Sequence, residues 1–163
     1  MSNVLQAVAG REDQPAAAYR ALEALADSMI GVKLFTVTEL EWKRGVARRT
    51  YTNMPEAYPT SGEKEILEDA WTDRVLNERQ FFVANSIEEI AEVFFDHPLI
   101  QSLGCESCMN IPVAVGGKVR ATVNCLHEAG HFTPGRVKRA QTLIEPATLA
   151  VAAAMYLQAE TRQ

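Results

Sequence analysis

Residues 107–127, SCMNIPVAVGGKVRATVNCLH, constrain the fold more than any other stretch of the chain. Two runs rich in apolar and β-branched residues flank a Gly-Gly pair, and adjacent glycines supply the positive φ angles that a two-residue hairpin turn demands. A hairpin with arms this long belongs in a larger sheet, because an isolated two-stranded ribbon is marginal in water. With Gly116-Gly117 as the turn, Val115 faces Lys118, and regular pairing outward sets Cys108 opposite Cys125, Glu106 opposite His127 and Asn110 opposite Val123. The Cys108–Cys125 pair is then non-hydrogen-bonded, with Cα atoms about 4.5 Å apart and side chains at their closest. Side chains alternate along a strand. Glu106, Cys108, Cys125 and His127 therefore form a two-by-two patch on one face. Met109, Ile111, Val113, Leu126 and Thr122 fall on the other, which should pack against helices together with Cys105.

That patch admits several chemistries. Two thiols and an imidazole beside a carboxylate suit a tetrahedral zinc, or another transition metal such as iron, with His131 of HEAGHF able to swing over as a further ligand to Cys108, Cys125 and His127. The same groups suit a thiol nucleophile, Cys108 or Cys125, with Glu106 or His131 as acid–base helper. A reversible Cys108–Cys125 disulfide would make a redox sensor. Against these stands sulfur as apolar filler, since free cysteine is among the most buried residue types. No standard metal-ligand spacing is present, and one bulge would undo the register on which the patch rests.

The rest of the chain reads as alternating helices and strands. Tyr19, Leu22, Leu25, Ala26 and Met29 recur at helical spacing after Pro15, and residues 1–13 are expected to be flexible. VKLFTVTELEW and VARRTYT, joined by KRG, form a hairpin. MPEAYPTSGEKE is loop, LEDAWTDRVLNERQ a helix, and FFVAN a short strand. Ser86 with Glu89 three residues on is a capping box for SIEEIAEVFF. His97-Pro98 breaks that pattern. Thr133-Pro134 opens a final helix with Pro146 as a kink or break. The order describes an α+β fold, a central antiparallel sheet of about five to six strands with helices on both faces. Trp71, Tyr58 and Phe81 fall in the crossover that roofs the sheet, and His97 in the loop before the long hairpin. Trp42 is a packing residue.

At 163 residues one domain is expected, residues 1–163. A net charge of −5 with scattered basic residues speaks against nucleic acid as a partner. Leu149 to Leu157 is about half the roughly 20 apolar residues a bilayer span needs, so no membrane partner is expected. The N-terminus has neither the basic region nor the apolar core of a secretory signal, which places the protein in the cytoplasm.

GVKLFTVTELEW, the hairpin IPVAVGGKVRATVNCLH and the closing FTPGRVKRAQTLIEPATLAVA together resemble a GAF domain, over about residues 20–158. The resemblance implies a small-molecule pocket on one side of an antiparallel sheet and a helical pair on the other that often mediates homodimerisation. Asn110, His127, His131, Trp71, Tyr58 and Phe81 would line the pocket. Leu103-Gly104 and NCLH are similar to bilin-binding members, but their anchoring thiol lies upstream, where this chain has FFDHPLIQS. The free methionine-(R)-sulfoxide reductases place a catalytic cysteine where this chain has Gln101, and a strand glutamate where it has Cys108. The expectation is a stand-alone ligand-binding sensor or regulatory protein. The alternatives are a metal- or thiol-dependent enzyme and a redox sensor.

Overall fold

The computed structural model describes residues 2–163. Helix α1 (Ser2–Ala9) leads into α2 (Ala16–Ile30), which buries Tyr19, Leu22, Ala26 and Ile30 along one face and stops at Gly31 with a positive φ. Strands β1 (Leu34–Glu41) and β2 (Val46–Thr52) form the expected hairpin. The crossover carries β3 (Glu63–Glu65), a single helical turn α3 (Ala70–Thr72), a π-helical turn (Asp73–Asn77), β4 (Phe82–Ala84), α4 (Ile87–Ala91) and α5 (His97–Ser102). The long hairpin is β5 (Ser107–Val115) and β6 (Lys118–His127). Helix α6 (Pro134–Ala140), a 3₁₀ turn (Gln141–Leu143) and α7 (Ile144–Thr161) complete the chain.

The strands form one antiparallel sheet in the order β3-β2-β1-β6-β5-β4. The first hairpin joins the second through β1 and β6. Helices α1, α2 and α7 cover one face, and the main core lies between, with Phe35, Val37, Met109, Ile111, Val123 and Cys125 pointing from the sheet into it. The opposite face carries a smaller cluster around Leu34, Cys108, Leu126, Ile90 and Ile100 beneath the crossover. The α+β sheet with helices on both faces is as the sequence predicts. No helix among the described residues is long and apolar enough to cross a membrane.

Several local expectations give way to packing. Of the residues 1–13 expected to be flexible, residue 1 lies outside the described residues and Ser2–Ala9 form α1, with Val4 fully buried in the main core. The predicted helix over LEDAWTDRVLNERQ shrinks to one α turn capped by Asp69, followed by the π turn in which the Glu78 N–H donates to the Asp73 carbonyl. Pro98 opens α5 rather than ending a helix, because an early-turn proline lacks only an N–H that would be unpaired anyway. The final helix breaks at the 3₁₀ turn just before Pro146, where the proline ring would clash with the carbonyl four residues back. Ser86 caps α4 by accepting from the Glu89 N–H. Glu89 answers by accepting from the Asn85 N–H, one residue ahead of the predicted partner.

Two bulges decide what faces where. The turn at Gly116-Gly117 is as predicted, both residues have positive φ, and Val115 pairs with Lys118. Beyond Ala114–Val119 the register slips by one at Arg120, so Val113 pairs with Ala121 and, further out, Asn110 with Asn124, Met109 with Cys125 and Cys108 with Leu126. An extra residue in one strand moves everything beyond it to the other face. In the first hairpin pairing runs regularly from the turn to Thr38 and Arg49, then slips between Val37 and Thr38, leaving Thr50 as the extra residue and setting Tyr51 opposite Val37.

Candidate functional site

A cavity of about 230 Å³ lies between the sheet and the crossover. Its floor is built in cross-strand rows. Thr36, Asn124 and Asn110 sit side by side on β1, β6 and β5, and Arg49, Thr38 and Thr122 make the next row on β2, β1 and β6. Cys108 and Leu126 form an apolar row beyond. Strand alternation in LFTVTELE explains the threonines: Phe35 and Val37 go to the main core, so Thr36 and Thr38 must face the cavity. The roof comes from Trp71 of α3, Leu76 of the π turn, Phe94 and Tyr58.

One polar network crosses the floor. The Trp71 indole N–H donates to Asn110 Oδ1 at 2.9 Å, Asn110 Nδ2 donates to Asn124 Oδ1 at 2.8 Å, and Asn124 Nδ2 donates to Thr36 Oγ1 and Thr38 Oγ1 at 3.1 and 3.2 Å. Asn110 and Asn124 are 3% and 8% exposed, so these bonds replace lost water. Tyr58 closes another side. Its hydroxyl donates to Asp96 at 2.6 Å, and the Arg49 guanidinium lies 3.7 Å above its ring. Burial, then the bond to Asp96, raises the Tyr58 pKa and keeps the phenol protonated. Trp71 and Phe94 meet edge to face at 6.1 Å.

Of the residues expected to line a ligand pocket, Asn110, Trp71 and Tyr58 do so, and Cys108 joins them. Phe81 turns instead into the helix-side core. His127, the last residue of β6, and His131 just beyond the strand do not line the cavity. Their rings stack at 3.6 Å between centroids and 7° between planes. His131 Nε2 donates to the Ile30 carbonyl at 2.7 Å and approaches that of Gly31 at 3.1 Å, closing the end of α2. The same contact explains Gly31, where a Cβ would come within 3.2 Å of the His131 ring. His127 Nδ1 accepts from the Glu128 N–H. Burial, then the neighbouring His131, lowers the His127 pKa. His97 opens α5 and does not line the cavity.

The four-residue patch of Glu106, Cys108, Cys125 and His127 is not assembled. The Arg120 bulge turns Cys108 to the cavity and Cys125 to the opposite face, among the helices. It likewise moves Leu126 and Thr122 to the cavity side. Glu106 accepts from Gln101 Nε2. No cross-strand disulfide joins residues on opposite faces, and the metal set Cys108, Cys125, His127 and His131 is split in the same way. Only the imidazoles stay together, with Glu128: one donor atom from each of these three side chains lies within 4.8 Å of the others. Burial pushes the Cys108 thiol up to about 12 and also raises Cys125, so neither is a thiolate near neutral pH. The floor residues that sequence reading missed, Thr36, Thr38 and Asn124, carry a usable signal. They are polar residues at alternate positions in otherwise apolar strands. Arg49 follows the same alternation, sharing the cavity face with Ala47, and it is Tyr51, beyond the Thr50 bulge, that departs from it into the helix-side core.

A family model described as the GAF domain matches residues 16–151. No curated protein matches the sequence. Among solved structures, the GAF domain of a phosphoenolpyruvate-protein phosphotransferase from Coxiella burnetii is 13% identical, with a TM-score of 0.69 over 99% of this chain and 94% of that one. The GAF domain of a two-component sensor histidine kinase from Bacillus halodurans is 8% identical, with a TM-score of 0.67 over 85% and 94%. A cyanobacteriochrome GAF domain, TePixJ, is 11% identical, with a TM-score of 0.64 over 93% and 94%. At such identities these three speak for the fold alone. With the family model spanning most of the sequence and the sheet, helices and cavity arranged as described, this chain belongs to the GAF domain family.

Proposed function

We propose that this protein binds a small molecule in the cavity between sheet and crossover and acts as a sensor or regulatory module. The observation that carries this reading is the floor network. A buried Asn-Asn pair tied to an indole from the roof is an expensive way to fill a core, and a sensible way to fix polar groups around a guest. Binding is favoured over catalysis because Cys108, the cavity thiol, is held protonated and no histidine is among the described residues that line the cavity. A ligand touching Trp71, Leu76 and Phe94 would act on α3, the π turn and the segment after α4, which is where a signal would start. Homodimerisation belongs to the same reading, supported by the large apolar side chains Leu5, Ile144 and Tyr156 exposed on α1 and α7.

The test is a fragment screen by NMR on ¹⁵N-labelled protein. Ligands of the cavity shift the Trp71 indole resonance, and a Thr122→Trp variant that fills the cavity abolishes the response. Hits that leave Trp71 unmoved, or bind equally well to the filled variant, would refute the site. Light scattering across a concentration series tests the dimer.

A further inference from the structure

We infer that the cavity takes a one-ring aromatic carboxylate, with its anionic end held by the Thr36 and Thr38 hydroxyls and Arg49 and its ring beneath Trp71 and Phe94. This rests on the ligand-binding reading above and names the ligand's chemistry.

The argument starts at the indole. A tryptophan N–H can only donate, so the 2.9 Å contact from Trp71 fixes Asn110 with Oδ1 toward the roof. Asn110 must then present its NH₂ to Asn124, which answers with Oδ1 and turns its own NH₂ to β1. Every amide in the floor is thereby oriented by one group. Thr36 and Thr38 both accept from Asn124 Nδ2, and each keeps one O–H proton for which no protein acceptor exists among the described residues. Thr36 is 2% exposed, and an unmatched donor at such depth is costly. Both oxygens reach the same nitrogen, so one acceptor group can meet both protons. The network therefore runs one way and ends on donors.

Arg49 adds charge at that end. Regular pairing outward from the β1–β2 turn places it directly across from Thr38 on the cavity face. One N–H is used on the Pro59 carbonyl at 2.7 Å, and the guanidinium is buttressed by the Tyr58 ring. Among the described residues it has no carboxylate within ion-pairing distance. The acidic groups at the same cavity are engaged or turned out. Asp96 accepts from Tyr58, Asp69 accepts from the Thr72 N–H, and Glu65 is exposed on β3 with its neighbour Lys64. Two hydroxyl donors beside an arginine fit a carboxylate, whereas an ammonium at the same place would face the like charge of the guanidinium. At 230 Å³ the space falls below the roughly 300–1,000 Å³ of drug-sized pockets, and its edge-to-face indole and phenyl walls suit a single ring.

Phenylacetate, phenylacetamide and phenethylamine are titrated into the full chain, with the Trp71 indole resonance as site marker and calorimetry for affinity. Phenylacetate should bind about tenfold or more tighter than the amide. Arg49→Met should erase that preference while leaving amide binding in place. Thr38→Val, an independent variant on a partly exposed residue, should weaken the acid several-fold. Amide or amine binding at Trp71 as tightly as the acid overturns the carboxylate assignment and leaves the ligand-binding reading intact. If none of the three moves Trp71, the aromatic-carboxylate assignment falls, and the ligand-binding reading is decided separately by the fragment screen.

Discussion

Replacing Asn124 by leucine tests the floor network most directly. The change keeps volume and removes three designated contacts: the acceptor for Asn110 Nδ2 at 2.8 Å and the donors to Thr36 and Thr38. Asn110 is 3% exposed, so its freed NH₂ cannot recover a partner from bulk water, and an unsatisfied buried group costs about 1–3 kcal/mol. Asn110→Leu strands Asn124 Oδ1 and the Trp71 N–H in the same way, at a similar cost. In the double variant both partners of the central bond are apolar. The penalty for stranding each one disappears, so the two losses should fall short of their sum by about 1–2 kcal/mol, inside the range measured for contacting residues. Urea unfolding followed by far-UV circular dichroism gives the four free energies, and each kcal/mol should appear as a shift of about 2–4 °C in melting temperature for a chain of this size. Additivity within about 0.5 kcal/mol would show the two amides to be energetically independent, and the one-way network with them.

Other outcomes follow from single groups. Mild oxidant should give no Cys108–Cys125 cross-link on peptide mapping; finding one would mean that the Arg120 bulge is absent in solution. Thr50 carries a buried Oγ1 with no partner, so Thr50→Val should raise stability by about 1 kcal/mol, and a loss would show that the hydroxyl is in use. Cys108 holds its proton to about 12 when folded, against 9.0 ordinarily. The unfolded chain therefore releases that proton first, and Cys108→Ala should flatten the fall in stability between those values, read by denaturant unfolding. His127 has the opposite sign. Its lowered pKa means the unfolded chain binds the proton first, so stability drops as pH falls below the ordinary imidazole range, and His127→Gln should lessen that drop.

The fold was legible because it rests on patterns that tertiary contacts do not override. Gly116-Gly117 can form only a tight turn with positive φ, Tyr19 to Ile30 can bury only one helical face, and LFTVTELE can only alternate. Trp71, Tyr58 and Asn110 could be assigned to the cavity for the same reason, since crossover aromatics and inward strand positions follow from topology. What failed was arithmetic that presumed regular pairing. Counting from the turn sets Cys108 opposite Cys125, and Arg120 has nothing in its side chain to announce that it is the extra residue. Phe81 directly precedes a three-residue strand, where one step of alternation separates cavity from core. The π turn and the 3₁₀ turn are likewise products of packing, although Pro146 at least warned of the second.

The extra residues at Thr50 and Arg120 also change how the protein should tolerate alteration. Each sets the phase of a strand from a position outside the rows that line the cavity, so chain length in these two hairpins matters more than the identity of many residues within them. Removing Arg120 alone, near the solvent end of its hairpin, would exchange the outward and inward sets along the rest of one arm: Asn124 would turn into the greasy layer and Cys125 toward the cavity, with no residue of the pocket itself mutated. A library built from substitutions would find this protein permissive, and one built from single-codon deletions would find it brittle at two places.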